Sequence, residues 1–191
     1  VVTLEPCNHT GRTGPCSQAL LDAGISRVVY ASNDPGEDSS GGGKFLKKHG
    51  VEVVKGLLKS EADDQARHWI VSTKKQRPFI TIKYASTLDG RGAAQDGSSQ
   101  WISGPESRAD SHRRRSEVDA ILVGTGTAIF DDPELTARRP DGSYFEHQPI
   151  RVIVGERDLP KNLRVFNDRA ETIVLQTQSL QEAMTELWDK G

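Results

Sequence analysis

The chain has 191 residues, 35% hydrophobic and 27% charged, with 25 Lys and Arg against 27 Asp and Glu and a net charge of −2. That composition can fill one large core or two small ones, and it offers no general electrostatic attraction for nucleic acid. No apolar run is long enough to cross a membrane and no leader-like segment opens the sequence, so the cytoplasm is the expected compartment.

Residues 1–4 read as a strand. Both cysteines, Cys7 and Cys16, follow at once, each directly after a proline. Proline suits the first position of a helix, and a thiol near a helix N-terminus meets the positive end of the dipole and ionises more easily. Thiolate is the form that binds zinc. The pair resembles a stretched version of the Pro-Cys-x-x-Cys element of zinc deaminases, whose other element, His-x-Glu, is absent from these residues. Two thiols do not complete a three-ligand site, so free cysteines or a local disulfide stay open on spacing alone.

Residues 17–23 predict a helix ended by Gly24, and residues 27–32 a strand. A polar, glycine-rich loop (34–43), a short helix (44–49) and a strand (51–54) follow, which together suggest βαβ units on a parallel sheet. A helix over 60–73 is expected with Ser60 as N-cap. The basic stretch closed by Pro78 is the expected domain boundary.

In the second half, residues 79–85 alternate as a strand, residues 105–117 predict a helix, and 119–123 a buried strand ending in Gly124-Thr125-Gly126-Thr127. Glycines after a strand let backbone amides approach a phosphate, though a plain loop reads the same way. Because neighbours on a helix differ by about 100°, Arg113, Arg114 and Arg115 cannot share one direction. Two more buried strands (149–154 and 171–175) and an amphipathic helix (180–190) complete the pattern, with Leu187 and Trp188 read as packing.

The run Thr3-Leu4-Glu5-Pro6-Cys7-Asn8-His9-Thr10-Gly11-Arg12-Thr13-Gly14-Pro15-Cys16 resembles the zinc segment of the bifunctional deaminase-reductases of riboflavin biosynthesis. The resemblance continues through Ser32-Asn33-Asp34-Pro35, Gly41-Gly42-Gly43, a block from Lys83, the loop Gly97 to Ser103, and Asp131-Asp132-Pro133-Glu134-Leu135-Thr136-Ala137-Arg138. It implies an α/β chain: the C-terminal part of a cytidine-deaminase-like α/β/α domain (1–75), then the N-terminal part of a dihydrofolate-reductase-like α/β domain (76–191).

By that resemblance Cys7 and Cys16 are two of three zinc ligands, and His9, Arg12 and Asp34 contact the substrate. The third ligand and the proton-shuttling glutamate would lie upstream of Val1, and a Glu-Gly-Gly segment beyond Gly191. The chain is therefore expected to be a fragment that does not deaminate alone. In the second half the resemblance gives Lys83 to the reacting centre, although a strand lysine could equally be a solvated charge. Ala85, Trp101, Ser103, Thr127 and Asp131 go to NADPH, and Ser99, Arg115, Leu135 and Arg138 to the substrate. A lone tryptophan such as Trp101 otherwise reads as a core aromatic.

The implied chemistry is zinc-dependent hydrolytic deamination of a phosphoribosylated diaminopyrimidinone, then NADPH-dependent reduction of its ribose to a ribityl chain. The implied partners are phosphoribosylated pyrimidines and a second copy through the reductase domain, with no nucleic acid and no membrane. Two departures stand out. Gly155-Glu156 replaces the family's frequent Asp-Ser, and a carboxylate there would repel a cofactor phosphate. Asp34-Pro35-Gly36-Glu37 replaces Asp-Pro-Asn-Pro. Two other readings remain: a zinc deaminase of nucleic acid or nucleosides joined to a nucleotide-binding domain, and a non-enzymatic binder of NADPH or zinc.

Overall fold

The computed structural model describes residues 1–190, which separate into two compact units, Val1–Ile80 and Thr81–Lys190. Each is α/β, built on a parallel three-stranded sheet. No helix among the described residues is long and apolar enough to cross a membrane.

In the first unit the strands β1 (Val2–Leu4), β2 (Arg27–Ser32) and β3 (Glu52–Lys55) pair in that order. Helix α1 (Cys16–Asp22) lies between β1 and β2, and α2 (Gly42–Lys48) between β2 and β3. Their apolar faces meet the sheet in a core of Val28, Tyr30, Leu46 and Val51, flanked by Leu20, Leu21, Phe45 and Val53. Gly24 ends α1 as expected: its φ is +69°, and its N–H donates to the Leu21 carbonyl at 2.9 Å.

Helix α2 begins two residues before the expected start because its first turn needs glycine. A Cβ on Gly42 would stand 1.9 Å from the Pro6 carbonyl oxygen, and one on Gly43 2.7 Å from the Tyr30 hydroxyl. The helix expected over 60–73 is two helices, α3 (Lys59–Gln65) and α4 (Arg67–Lys75), broken at Ala66. Ser60 is not the cap. That position falls to Leu58, at φ +51°, and Ser60 lies inside the first turn.

In the second unit α5 (Pro105–Arg115) precedes β4 (Ala120–Gly124), α6 (Thr125–Asp131), β5 (Ile150–Val154), β6 (Thr172–Leu175) and α7 (Leu180–Asp189). The sheet order is β4-β5-β6, so β5 is central. Alternation along β5 feeds two cores. Ile153 packs with Ala128, Leu135, Leu163 and Val165, whereas Val152 packs with Leu175 and Ala183, beside Leu187. Ser179 caps α7, its hydroxyl accepting from Glu182 N–H at 3.2 Å.

Four expectations fail between residue 79 and the end of α7. Residues 79–85 form no strand: they have no ladder partner, leaving Ile82 81% and Tyr84 78% exposed. Strands β4 and β6 are not buried but edges, with Leu122 and Val174 exposed. Leu187 packs as read, but Trp188 is exposed.

Candidate active sites

The cysteine segment is a loop pinned from both ends. Cys7 accepts on its carbonyl from Ser17 N–H (3.0 Å), Asn8 N–H donates to the Ser39 carbonyl (2.8 Å), and the Ser17 hydroxyl donates to Asn8 Oδ1 (2.7 Å). Pro15 is the N-cap of α1 and Cys16 its first residue, while no helix follows Pro6-Cys7. The consequence reverses the simple dipole expectation. Cys16 N–H points at Cys7 Sγ (3.3 Å), and the two thiols perturb one another's ionisation. Cys7 is therefore shifted down, through the Cys16 backbone hydrogen bond above all, and Cys16 is shifted up, through the Cys7 side chain above all. Both thiols are free, Cys7 half-buried and Cys16 exposed.

Two sulfurs side by side, one of them favoured as thiolate, suit a soft divalent ion such as zinc. No cluster of three or more His, Cys, Asp or Glu occurs among the described residues, so these two thiols would supply only part of a coordination sphere.

Glu5 is the residue sequence reasoning missed here. It is 8% exposed, and its carboxylate accepts from Gly43 N–H (3.0 Å) at the start of α2 and from Asp34 N–H (3.2 Å). One side chain thus joins the cysteine segment, the β2–α2 loop and the glycine turn. Asp34, also buried, accepts on Oδ1 from Gly36 N–H (2.8 Å), and its charge opposes ionisation of Cys7. The glycine that departs from the family pattern fits closely here, since a Cβ on Gly36 would meet Ser39 Oγ at 2.2 Å. His9 and Arg12 are exposed on the loop tip.

In the second unit the charged face of α5 divides as helical geometry requires. Arg113 and Arg114 pair outward with Asp110 (2.7 and 2.8 Å). Arg115 turns inward, where its guanidinium donates to the Thr136 carbonyl (3.3 Å). Burial and then the charge of Arg138 lower its pKa, so two cations approach one another in a partly dry place. Thr136 is fully buried; its Oγ1 and the Nε of Arg138 have no hydrogen-bond partner among the described residues. Leu135, at φ +55°, packs its side chain into the core, so a ligand could meet only its backbone.

Glu134 organises the other side of this loop, and it too was missed. Its buried carboxylate accepts from Tyr144 O–H (2.8 Å), Asn167 Nδ2 (3.2 Å) and Arg164 (3.2 Å), with Arg138 at 3.5 Å. Burial would raise its pKa, but Tyr144, Arg138, Asn167 and Arg164 together hold it below the usual carboxylate value. Arg151, fully buried on β5, donates to the carbonyls of Glu134 (3.4 Å), Asn167 (2.7 Å) and Ala170, and to Asn167 Oδ1 (2.8 Å).

The remaining predicted residues are spread more widely. Thr127 and Asp131 are exposed one turn apart on α6, which begins where β4 ends. Beside that turn Gly155, at φ +139°, leaves no room for a Cβ, which would lie 2.6 Å from Thr125 Oγ1. The Arg157 guanidinium stands over Gly126, 3.6 Å from where a Cβ would be. A glycine turn at the C-terminal end of a parallel strand, with an arginine over it, suits a phosphate-bearing cofactor. Glu156 accepts from the Gln178 amide and is exposed.

Trp101 is 68% exposed rather than core, with the Arg108 guanidinium 4.4 Å from its ring centroid. Arg108 also donates to the Ser103 carbonyl, which ties this loop to α5. Ser99 and Lys83 are exposed and Ala85 is half-buried, on segments without strand or helix.

Residues 78–191 match the model of the RibD C-terminal domain. The chain is 49% identical over 191 residues to the riboflavin biosynthesis protein RibD of Mycobacterium tuberculosis, covering all of this chain and 56% of that one. It is 44% identical to the RibD of Corynebacterium ammoniagenes, covering 57% of it. Among solved structures, a diaminohydroxyphosphoribosylaminopyrimidine deaminase/5-amino-6-(5-phosphoribosylamino)uracil reductase from Thermotoga maritima superposes with a TM-score of 0.85 at 34% identity, over 99% of this chain and 58% of that one. Acinetobacter baumannii RibD gives 0.86 at 32%, over 98% and 58%. The chain thus spans little more than half the length of these relatives. The chain belongs to the RibD family, the deaminase/reductases of riboflavin biosynthesis.

Proposed function

We propose that Thr81–Lys190 is the cofactor- and substrate-binding part of an NADPH-dependent reductase acting on a phosphoribosylaminouracil. Val1–Ile80 is then part of a zinc-dependent deaminase acting one step earlier. The observation that carries the reductase reading is the meeting of Arg115 and Arg138 at the Thr136 loop. Arg138 shares the Glu134 carboxylate with Arg164, and Arg115 has no acidic partner among the described residues, so positive charge is left unspent. A phosphate dianion is the group that two planar forks bind best.

In this reading Arg115 and Arg138 take the phosphate of the substrate, and the Thr136 hydroxyl is a further donor within the same loop. Thr127, Asp131 and the glycine turn hold the cofactor, with Arg157 supplying a cation over Gly126. Trp101 and Ser103 belong to the loop that covers it. NADPH, when bound, supplies the hydride. The protein's part is alignment, with Lys83 assigned by family resemblance to the reacting end of the ribose.

For the deaminase part, Cys7 and Cys16 hold the metal, and Glu5 fixes the segment that carries Cys7. Asp34, His9 and Arg12 face the pyrimidine phosphoriboside. Zinc, when bound, supplies a water acidic enough to ionise near neutral pH. The remaining ligand and the acid-base glutamate come from outside these residues, so the first unit alone does not deaminate. Dimerisation through the reductase part, in a cytoplasmic enzyme, completes the proposal.

The test is NADPH oxidation by the intact protein with 5-amino-6-(5-phosphoribosylamino)uracil, beside the same compound lacking its phosphate. Turnover of the phosphorylated compound, lost in Arg115→Ala and Arg138→Ala, supports the reading. Equal turnover of both compounds overturns it.

A further inference from the structure

His112 sits on the inner face of α5, one turn before Ser116 and three residues before Arg115. Its Nδ1 lies 3.1 Å from the Thr136 carbonyl oxygen and 3.3 Å from the Arg138 amide nitrogen, whose N–H points at it. The same Thr136 carbonyl accepts from Arg115. One ring nitrogen and one guanidinium on α5 thus share a short piece of backbone, and that backbone carries Arg138.

We propose that His112 is a positioning residue: it clamps the Thr136–Arg138 backbone to α5 so that Arg138 and Arg115 converge as a seat for one phosphate group. The inference rests on the reading of those two arginines as the phosphate site. Either neutral tautomer makes the clamp. With the proton on Nε2, Nδ1 accepts from Arg138 N–H; with it on Nδ1, the ring donates to the Thr136 carbonyl. Burial, then the charges of Arg115 and Arg138, lower the His112 pKa and keep the ring neutral beside two cations.

Nothing else on α5 holds this stretch except Arg115, which must also face the ligand. A guanidinium that both pins the loop and binds the anion would lose one task to the other. With the imidazole holding the backbone, Arg115 is free to turn its remaining donors outward. The buried Thr136 Oγ1 and Arg138 Nε, both without partners among the described residues, are the polar groups the clamp leaves beside the seat.

The test uses the intact protein, with ribose 5-phosphate as the probe in calorimetry and steady-state kinetics beside it. Arg115→Ala and Arg138→Ala test the phosphate site itself, and both should weaken ribose 5-phosphate by more than about tenfold. His112→Ala should weaken it about five- to tenfold, the effect of one lost hydrogen bond, and raise KM for the phosphorylated substrate while kcat changes less. His112→Asn keeps an amide that can accept from Arg138 N–H and donate to the Thr136 carbonyl, so it should restore affinity to within about twofold.

If the arginine variants lose binding and a folded His112→Ala does not, the clamp is overturned and the phosphate site stands. Full loss in a folded His112→Asn also overturns the clamp. If neither arginine variant weakens ribose 5-phosphate, the phosphate site fails and the clamp with it. Should His112→Ala not fold, His112→Asn alone decides between the outcomes.

Discussion

Gly42 and Pro6 touch so closely that a β-carbon on the glycine would stand 1.9 Å from the proline's carbonyl oxygen. The obstacle is backbone on both sides, so no side chain can swing away to relieve it. The glycine turn that opens α2 is therefore the mould against which Pro6-Cys7 is cast, with the Glu5 carboxylate on the Gly43 amide as the fastening. Gly42→Ala should cost about 2–4 kcal/mol and displace Cys7. A thermal melt of the intact protein, with zinc stoichiometry on the same sample, checks both.

Cys7 and Cys16 are expected to be unequal in zinc binding but equally necessary. Cys7→Ser and Cys16→Ser should each abolish zinc retention in the intact protein and leave NADPH oxidation largely unaltered. Emission spectrometry of dialysed protein measures the first and a reductase assay the second. A zinc content near that of the parent in either variant would remove that thiol from the metal site.

Arg157 is the cation that stands over the glycine turn at the start of α6. Arg157→Ala should weaken NADPH by about tenfold, the effect of losing one charge-assisted contact. Asp131→Ala, on the same helix, should also weaken it. Fluorescence titration of the intact protein reads both, and an unchanged dissociation constant would remove the altered residue from the cofactor site.

His112 also makes stability depend on pH, with a definite sign. Its folded pKa lies below its ordinary value of 6.5, through burial first and then Arg115 on its own helix and Arg138 on the facing loop. The unfolded chain therefore takes up a proton before the folded one does. The contribution is fully present above about pH 6.5 and is lost as pH falls toward the folded value. The parent's Tm should fall faster than that of His112→Asn between about pH 7.5 and 5.5; parallel slopes would contradict this.

Much of the scaffold was legible because local pattern and tertiary position agree. Strands β2 and β5 are apolar runs rich in β-branched residues, and both sit in the middle of their sheets. Gly24 could be read as a helix end because φ +69° suits glycine and little else. The strand expected over 79–85 alternates apolar and polar residues yet makes no ladder. Alternation states which face a strand would bury, not whether a neighbour exists to pair with it. The break at Ala66 has no glycine or proline to announce it.

The sites were legible in part. Helical spacing shows that the three arginines of α5 diverge, and the structure turns Arg115 inward. Glu134 and His112 gave no such signal: one is the last of three acids in a short polar stretch, the other the first member of a basic run. Their roles depend on groups 4 to 33 residues away for Glu134 and 24 to 26 for His112. Glu5 likewise acts on an amide 38 positions on.

Arg151 reaches from the central strand to the carbonyls of three separate positions, residues 134, 167 and 170. Opening the loop that carries Arg138 would take one of several acceptors from a buried guanidinium, and a buried charge with fewer acceptors is costly. That loop is therefore not a hinged flap that breathes independently of the sheet. Its amides should exchange with deuterium on the same slow timescale as those of β5, so a ligand would meet Arg138 on backbone that is already fixed.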